Sequence, residues 1–390
     1  MIRVANFVLD EKFIDGQIEY HNMVTKNCHH DYYLVRDRYK PLRFIKRNAA
    51  VVKIIHPSEA VKIANKYDAV FLHSILGMPI CQIHKIDKRV KVFWFAWGYD
   101  IYSGPYGKPL VKLKLFHQET EHYISCDIKG RVMKCVTKLY NVLKRRSPHY
   151  YYQAVSRVDY FSGVFPEEYE MVRSGNPFFN AKPVDYSYCP NPNFINDENT
   201  SVGTPNNDDN IIIGNSTAYE NNHLDALTYL KRKNIGKRKV YMPLSYSPNP
   251  RYVNCLKKRG NELFGNRFFP LTEFIPLDNY NKILNSCGIA IFAIERQMAV
   301  GNIIACLSAG SKVFLFKNSI LYKHFKDLGI KVFSIEDDLS KDDAFERLSD
   351  DVIVNNRRVL CKFYNKDVML KKLDKIYSTI STDIDSQKCK

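Results

Sequence analysis

Residues 211–227 combine residue types and spacing that suit the binding of a phosphate group. An apolar run breaks at Gly214, passes through a polar loop and resumes as an amphipathic pattern that predicts a helix over 223–233. Such a junction directs backbone N–H groups and the positive end of a helix at one place. Gly214 allows close approach of the backbone, and Asn215 and Ser216 add side-chain hydrogen bonds. Many α/β proteins turn this way without a ligand, so both interpretations stay open here.

Further polar groups follow in the second half of the chain. Asn221 or Asn222 is predicted to cap the helix after the loop. Arg296 offers a fixed fork of donors suited to a diphosphate, and an ion pair with Glu273 or a neighbour is the alternative. Gly301 and Asn302 open the next predicted helix, whose amino end adds positive potential. The sequence therefore predicts a metal-free anion site.

Tyrosine side chains near these groups can stack on a base or a sugar. Tyr246 and Tyr280 are the candidates, although tyrosine is abundant, with 26 copies in the chain. A core or surface role for each is the alternative.

In the first half, a carboxylate and an imidazole follow apolar runs. Asp100 comes after Trp97 and Gly98 at the end of a predicted strand, and His73 ends another. Ligands of α/β proteins bind at the carboxyl ends of strands, and a carboxylate there can take the proton of an acceptor hydroxyl. Capping of the next turn by Asp100 and a structural role for His73 are the alternatives.

Composition limits the class of protein. With 390 residues, 45% of them hydrophobic, the chain is long enough for two ordinary domains with full cores. Residues 1–9 are too short, and too soon followed by charges, for a secretory signal. The longest uncharged run, 69–84, is shorter than a bilayer span. We expect a cytoplasmic protein without a transmembrane helix.

Metal binding is not expected from the cysteines or the acidic motifs. The ten cysteines contain no C-x-x-C pair, and Cys28, His29 and His30 lack a second ligand pair at zinc-finger spacing. Asp383 and Asp385 form a D-x-D sequence within what is predicted to be a charged tail after the last helix. Reduced thiols and a metal-independent reaction are the expectations.

The net charge of +17 is unevenly distributed. Residues 101–150 hold ten Lys and Arg against three acidic residues, and 127–146 predicts a basic amphipathic helix next to an aromatic cluster. Such a helix can lie on an anionic membrane surface, although a solvated face is the alternative. No nucleic-acid-binding signature accompanies the charge, so no nucleic-acid partner is expected.

The pattern of strands and helices predicts two α/β domains. Strands are predicted at 2–9, 32–35, 51–55, 69–73, 90–97 and 160–165, then at 210–215, 239–244, 268–271, 289–295, 312–316 and 331–334. Helices are predicted at 57–66, 222–233, 249–259, 277–285, 301–309, 320–328, 340–355 and 364–380. This alternation indicates two Rossmann-like, doubly wound domains facing a cleft. The boundaries are 1–195 for the first domain, 196–210 for a polar linker, 211–365 for the second domain and 366–390 for a C-terminal helix and tail that cross back. Neither half carries G-x-G-x-x-G or a Walker A loop, which argues against dehydrogenases and P-loop enzymes.

Several local patterns together resemble the N-acetylfucosamine (4-acetamido-4,6-dideoxygalactose) transferases of glycosyltransferase family 56. The matching segments are 92–102 (VFWFAWGYDIY), the Gly214 loop with Asn221 and His223, 240–249 (VYMPLSYSPN), and a series comprising Glu273, 277–280 (LDNY), Glu295, Arg296, Gln297, Gly301 and 308–310 (SAG). A weaker likeness covers His21, Asn22 and His73.

The resemblance implies a GT-B fold, a dTDP-activated deoxy-amino sugar and a polyprenyl-diphosphate-linked acceptor. It also implies that the first domain, 1–195, binds the acceptor and that the second, 211–365, binds the nucleotide sugar. Donor-side residues would be Gly214, Asn215, Ser216, Asn221, Tyr246, Glu273, Arg296, Gln297, Gly301 and Asn302. Acceptor-side residues would be His21, Asn22, Trp97 and Gly98, with Asp100 and His73 as catalytic groups. The protein would lie on the inner face of the cell membrane. A capsule or O-antigen transferase using a GDP- or UDP-sugar is an alternative, and a non-catalytic scaffold is another.

Overall fold

A computed structural model describes residues 1–24, 28–38, 40–127, 147–186, 209–246 and 249–388. The described residues form two compact units. One contains those within 1–112, 133–189 and 366–390, and the other contains those within 113–132 and 190–365. Each unit is built on one parallel sheet covered by helices.

The sheet of the first unit has the strand order β3-β2-β1-β4-β5-β6-β7 among the described residues. Its strands are β1 (Ile2–Phe7), β2 (Cys28–Val35), β3 (Val52–Ile55), β4 (Ala69–His73), β5 (Lys91–Phe95), β6 (Tyr160–Ser162) and β7 (Lys182–Pro183). The accompanying α-helices are Ile14–Val24 (α1), Ala60–Ala64 (α2), Ile80–Ile83 (α3), Pro148–Arg157, Glu167–Gly175 and Lys366–Lys388. Every residue of β4 is buried, as expected for a parallel strand covered on both faces.

The sheet of the second unit has the order β10-β9-β8-β11-β12-β13 among the described residues. Its strands are β8 (Ile211–Ile213), β9 (Val240–Pro243), β10 (Phe268–Leu271), β11 (Ile289–Phe292), β12 (Lys312–Leu315) and β13 (Phe333–Ser334). Its helices are Gln118–Cys126 (α4), His223–Lys231, Pro250–Phe264, Leu277–Asn285, Val300–Ala309, Ile320–Asp327 and Asp350–Tyr364. In chain order the remaining helices are therefore α5 (Pro148–Arg157), α6 (Glu167–Gly175), α7 (His223–Lys231), α8 (Pro250–Phe264), α9 (Leu277–Asn285), α10 (Val300–Ala309), α11 (Ile320–Asp327), α12 (Asp350–Tyr364) and α13 (Lys366–Lys388).

The strand order reverses between β1 and β4 in the first unit and between β8 and β11 in the second. Loops on the two sides of such a reversal diverge and leave a crevice at the carboxyl ends of the strands. Ligand sites of doubly wound sheets lie there, so these two edges are where functional side chains are expected.

One predicted helix and one domain assignment are contradicted by the structure. The helix predicted at 340–355 is wrong: a short 3₁₀ turn, Asp342–Phe345, is followed by α12, which begins after the extended Ser349. Buried Ala344 and Ile353 lie on separate elements, and Asp350 starts the new helix because a carboxylate is favourable in a first turn. Residues 113–127, predicted in the first domain, group with the second unit because the carboxylate of Asp225 accepts the backbone N–H groups of Glu119 and Thr120 at the start of α4.

The C-terminal helix packs on the sheet of the first unit. Leu373, Ile376 and Ile380 of α13 are buried in a cluster with residues of β1, β4 and β5. The helix extends further than predicted, so Asp383 and Asp385 lie within it and not in a tail after it. The Tyr160 hydroxyl donates a hydrogen bond to Asp383, which gives this carboxylate a structural contact.

None of the helices in the described ranges is sufficiently long and apolar to traverse a lipid bilayer. The described cysteines are free thiols.

Candidate active site

The loop after β8 lies beside the strand reversal of the second unit. Gly214 has φ +67°, a left-handed conformation that favours glycine, and its N–H donates to the carbonyl of Ile291 in β11. A Cβ on Gly214 would lie 2.7 Å from Nε2 of His223 and 2.8 Å from Oδ1 of Asn221. Only glycine therefore fits at the position where the loop turns.

The side chain of Asn221 holds this loop through hydrogen bonds to two of its residues. Its Oδ1 accepts the N–H of Asn215 at 3.0 Å, and its Nδ2 donates to Oγ of Ser216 at 3.1 Å. Because Asn221 is fully buried and both ends of its amide are engaged, it shapes the loop and does not face a ligand directly. Asn222 occupies the N-cap position of α7, one of the two positions predicted, but among the described residues its side chain makes no capping hydrogen bond.

Several buried polar atoms around the loop have no hydrogen-bond partner within the described part of the chain. They are Oδ1 of Asn215 and both ring nitrogens of His223. Burial lowers the pKa of His223 to about 3, so its imidazole is neutral. Buried polar atoms are costly when unpaired, and such atoms beside a glycine turn are typical of a place that a polar ligand completes. His223 was recognised in the sequence only by its spacing, because an isolated histidine gives no stronger signal.

Arg296 lies in the loop after β11 and is largely buried, with 11% of its side chain exposed. Its guanidinium pairs with Glu220 at 3.5 Å and donates to the carbonyl of Gln297 at 3.1 Å. Glu273, the alternative partner expected from the sequence, is exposed in the loop after the edge strand β10. Nε of Arg296 and the buried Nε2 of Gln297 have no partner among the described residues.

The amino end of α10 follows directly after these two side chains. No side chain in the described part of the chain caps it, and it is preceded by Ala299 at φ +61°. Among the residues that the structure describes, no atom lies within 4 Å of a Cβ built on Gly301, so the first turn is open on the side of this residue. The amide of Asn302 donates to the Tyr280 hydroxyl at 2.8 Å. A ten-residue helix with an open amino end, next to a guanidinium, is a strong anion-binding arrangement.

The two candidate tyrosines make hydrogen bonds to neighbouring elements of the same unit. The backbone carbonyl of Tyr246 accepts both the N–H and the hydroxyl of Thr217, at 3.0 and 2.8 Å, which ties the loop after β9 to the loop after β8. Tyr280 is held by Asn302, and burial raises the pKa of its hydroxyl.

A histidine that the sequence did not single out reaches the same edge. His117 donates from Nε2 to Oε1 of the nearly buried Glu295 at 2.6 Å, and its ring stacks on Phe316 at 3.7 Å between centroids. The backbone N–H of His117 donates to Oδ1 of Asn222. Nδ2 of Asn222 in turn donates to the carbonyls of Leu115 and Ala293. His117 and Glu295 are 178 positions apart, so no local pattern could reveal the pair.

In the first unit, Asp100 is a fully buried structural carboxylate. It accepts hydrogen bonds from Oγ of Ser74 at 2.6 Å and Nε1 of Trp94 at 3.1 Å, and from the N–H groups of Ile75 and Trp97 at 3.1 and 3.0 Å. Burial raises its pKa, and these donors oppose the shift. A carboxylate with no exposed surface cannot reach an acceptor hydroxyl, so this arrangement contradicts the prediction of a catalytic base and supports the structural alternative.

His73 and His21 are also fully buried, in a cluster with His30. The rings of His21 and His30 lie 4.6 Å apart, those of His21 and His73 5.8 Å apart, and Nε2 of His73 bonds to Oδ1 of Asn6 at 3.1 Å. Neither His73 nor His21 faces a substrate in this arrangement, so their predicted catalytic and acceptor roles are not supported. Asn22 is exposed in the last turn of α1, which runs back toward the amino ends of the strands, away from the ligand edge.

Trp97 and Gly98 do lie at the carboxyl edge of the first sheet, directly after β5. Trp97 is half-buried and packs edge-on against Phe13. Residues 128–146, which contain nearly all of the predicted basic helix, lie outside the described residues. Among the residues that the structure describes, no group of three or more His, Cys, Asp or Glu side chains could hold a metal ion.

Comparison with known proteins gives the class of this chain. The family model described as 4-alpha-L-fucosyltransferase, glycosyl transferase group 56, matches residues 185–372. This match confirms the resemblance to family 56 and makes the chain a glycosyltransferase.

Solved structures confirm the GT-B fold. The HepE protein of Anabaena in complex with UDP matches at a TM-score of 0.62 and 9% identity, covering 97% of this chain and 100% of that one. The N-terminal domain of a Candida albicans trehalose-6-phosphate phosphatase matches at 0.61 and 9% identity, covering 98% and 97%. An alpha-glucosyltransferase in complex with UDP matches at 0.54 and 12% identity, covering 98% and 100%.

Proposed function

We propose that this glycosyltransferase of the GT-B fold moves a deoxy-amino sugar, of the N-acetylfucosamine kind, from a dTDP-sugar to a polyprenyl-diphosphate-linked glycan. The family 56 match over 185–372, which covers the loops after β8, β9 and β11, supports the choice of sugar and acceptor. The product would belong to the assembly of a surface polysaccharide or glycolipid.

The open amino end of α10 beside Arg296 is the observation that carries the proposal. When the bond between the sugar and the donor's distal phosphate breaks, negative charge develops on the leaving diphosphate. The N–H groups of the first turn of α10, which no described side chain caps, suit that charge. The guanidinium of Arg296 suits it as well, and so does Nε2 of Gln297, which has no partner among the described residues. The Glu220 carboxylate lies 3.5 Å from the guanidinium of Arg296. In this proposal an anionic oxygen of the diphosphate binds the guanidinium in place of that carboxylate.

The Gly214 loop completes the proposed donor site. Its tight turn brings backbone close to the strand reversal, and Oδ1 of Asn215 and the ring of His223 supply unpaired polar atoms there. Ser216 is held in place by Asn221 and contributes through the shape of the loop. On the first unit, Trp97 and Gly98 mark the edge proposed to receive the acceptor.

Charge on the leaving group is stabilised in this proposal by protein groups alone, so turnover should need no added divalent metal. Activity should persist after treatment with a chelator. Complete loss in chelator, restored by magnesium or manganese, would contradict this part of the proposal.

A panel of nucleotide sugars tests the donor. The purified full chain should release nucleotide from a dTDP-sugar faster than from UDP- or GDP-sugars, and dTDP should raise its melting temperature. A UDP-sugar is the second candidate, because two of the three structural relatives described above were solved with UDP. If nucleotide is released only from a UDP- or GDP-sugar, that sugar replaces the proposed donor. If no donor releases nucleotide and no nucleotide raises the melting temperature, the proposed donor site is wrong.

The lipid-linked acceptor motivates a peripheral location on the inner face of the membrane. Residues 101–150 carry an excess of seven positive charges, the difference between ten basic and three acidic residues. Replacing Lys138, Lys144, Arg145 and Arg146 with Gln should reduce binding to anionic vesicles and spare donor hydrolysis. Unchanged vesicle binding would make this segment a solvated face.

A further inference from the structure

A strongly basic loop follows β2 at the carboxyl edge of the first sheet. Its described residues, 36–38 and 40–48, are called the basic loop here. They contain six cations and one acidic residue: Arg36, Arg38, Lys40, Arg43, Lys46, Arg47 and Asp37. Arg36 pairs with Asp10 and Arg47 pairs with Glu19, while Lys40, Arg43 and Lys46 are exposed.

Two carboxylates fix the path of this loop. Asp10 accepts the consecutive backbone N–H groups of residues 43–45 at 2.8 to 3.1 Å, and Asp15 accepts those of residues 46–48 at 2.9 to 3.2 Å. Burial alone would raise the pKa of both aspartates, but these backbone donors outweigh it and lower the pKa of each. Both carboxylates therefore stay charged, and the cationic side chains are displayed on a backbone that is already ordered.

Apolar side chains attach the basic loop to the ligand edge. Ile45 is buried with Val8 and Ile14, and Leu42 and Trp97 pack against the same cluster. Since Val8 follows β1 and Trp97 follows β5, the loop lies against the carboxyl ends of the central strands.

Three apolar side chains are exposed on this same edge. Phe13 is 46% exposed, Leu76 37% and Tyr99 49%. Phe13 packs against Trp97, and Asp100 joins the backbone of Trp97 to that of Ile75, next to Leu76. Exposed aromatic and aliphatic groups beside a row of ordered cations match the two components of an anionic lipid surface, its headgroups and its apolar interior.

We propose that the basic loop, with Phe13, Leu76 and Tyr99, is a docking surface for an anionic phospholipid membrane. Its position brings the acceptor edge of the first sheet to the lipid, which deepens the proposed function and rests on it for the choice of a lipid-linked acceptor. The surface does not include residues 128–146. The exposed apolar groups favour lipid over nucleic acid, for which cations alone would suffice.

Sedimentation with vesicles tests this surface in the full chain. The probes are phosphatidylcholine vesicles with and without phosphatidylglycerol, at low and high salt. The variant replaces Lys40, Arg43 and Lys46 with Gln, and a matched control replaces Lys231, Arg232 and Lys237, exposed cations of the second unit, with Gln. Each cation near an anionic surface contributes about fivefold in affinity, so the loop variant should lose on the order of a hundredfold and the control far less. Phe13→Ala should weaken binding at both salt concentrations, because its contribution is apolar.

Stabilisation by nucleotide, measured on the same variants, separates this inference from the proposed function. Loss of vesicle binding with intact nucleotide stabilisation supports the docking surface. Equal losses in loop variant and control would show that only net charge matters, and would overturn it. Displacement from vesicles by inorganic phosphate at constant ionic strength, or loop-dependent binding to duplex DNA but not to vesicles, would overturn it as well.

Discussion

Arg296 is held by Glu220, a partner that an incoming diphosphate would replace. Arg296→Ala should lower kcat/KM for the donor, because a charge-assisted bidentate contact is lost. The expected loss of transition-state stabilisation is about 2–4 kcal/mol. Ser216→Ala should cost much less, since the Ser216 hydroxyl contacts Asn221 within the loop. Steady-state kinetics with the donor identified in the nucleotide-sugar panel provide the measurement. Wild-type kinetics in the alanine variant would remove Arg296 from the site.

His117 holds Glu295 across a long sequence separation, and its two contacts can be tested separately. His117→Phe keeps the ring on Phe316 but leaves the nearly buried Glu295 without its partner, so the free energy of unfolding should fall by about 1.5–3 kcal/mol. His117→Gln keeps a donor and loses the stacked ring, so it should recover part of the hydrogen-bond contribution. Denaturant titration measures both, and equal stability of His117→Phe and wild type would show that the bond contributes nothing.

Predictions from residue type alone identified some candidate positions and failed at others, for one physical reason. Gly214 and Arg296 were identifiable because their chemistry is local: a positive φ and a fork of donors. Asp100 and His73 had the expected position after a strand, but their exposure depends on neighbours such as Ser74 and Asn6, which only the fold brings into contact. Burial of a polar side chain is a tertiary property, and single positions do not encode it.

Elements were predictable where a buried strand gives a continuous apolar run. β4 and β10 have the predicted bounds, and so does helix α9. The helix predicted at 340–355 was wrong because the helical spacing of apolar residues continues across Ser349, where one element ends and the next begins. The membership of 113–127 in the second unit depends on the side chains of Asn222 and Asp225, more than 100 positions away.

Two glycines of the proposed donor site can be compared directly. Gly214→Ala places a Cβ 2.7 Å from His223 in a left-handed conformation, so it should destabilise the loop by at least about 1–2 kcal/mol and abolish nucleotide stabilisation. Gly301→Ala adds a methyl group within a helix, at a point where no described atom lies within 4 Å, and should stabilise the fold by about 0.5–1 kcal/mol. That same methyl would crowd the proposed diphosphate, so donor affinity should fall although the protein is more stable. Thermal melts with and without nucleotide measure both effects, and unchanged affinity in the Gly301 variant would move the diphosphate away from α10.

At the scale of the whole molecule, buried histidines make stability depend on pH. Burial lowers the pKa of His30 and His73 to about 3, and lowers that of His21 well below its ordinary value of 6.5. The neighbouring histidines add to the effect, and the Asp31 carboxylate partly opposes it at His30.

Because these three side chains are protonated only in the unfolded chain, the unfolded state binds more protons as the solution becomes acidic. Their contribution is fully present above pH 6.5 and is lost as the pH falls from there toward 3, by up to about 1.4 kcal/mol per histidine and pH unit. The free energy of unfolding should therefore fall steeply between pH 6.5 and 4.5, well above the range in which Asp10 and Asp15 titrate. Denaturant titrations across this range measure the slope. His73→Gln should reduce it, whereas His149→Gln, at an exposed position, should leave it unchanged. A flat profile in the wild type, or equal slopes in wild type and His73→Gln, would show that the histidine cluster is not the cause.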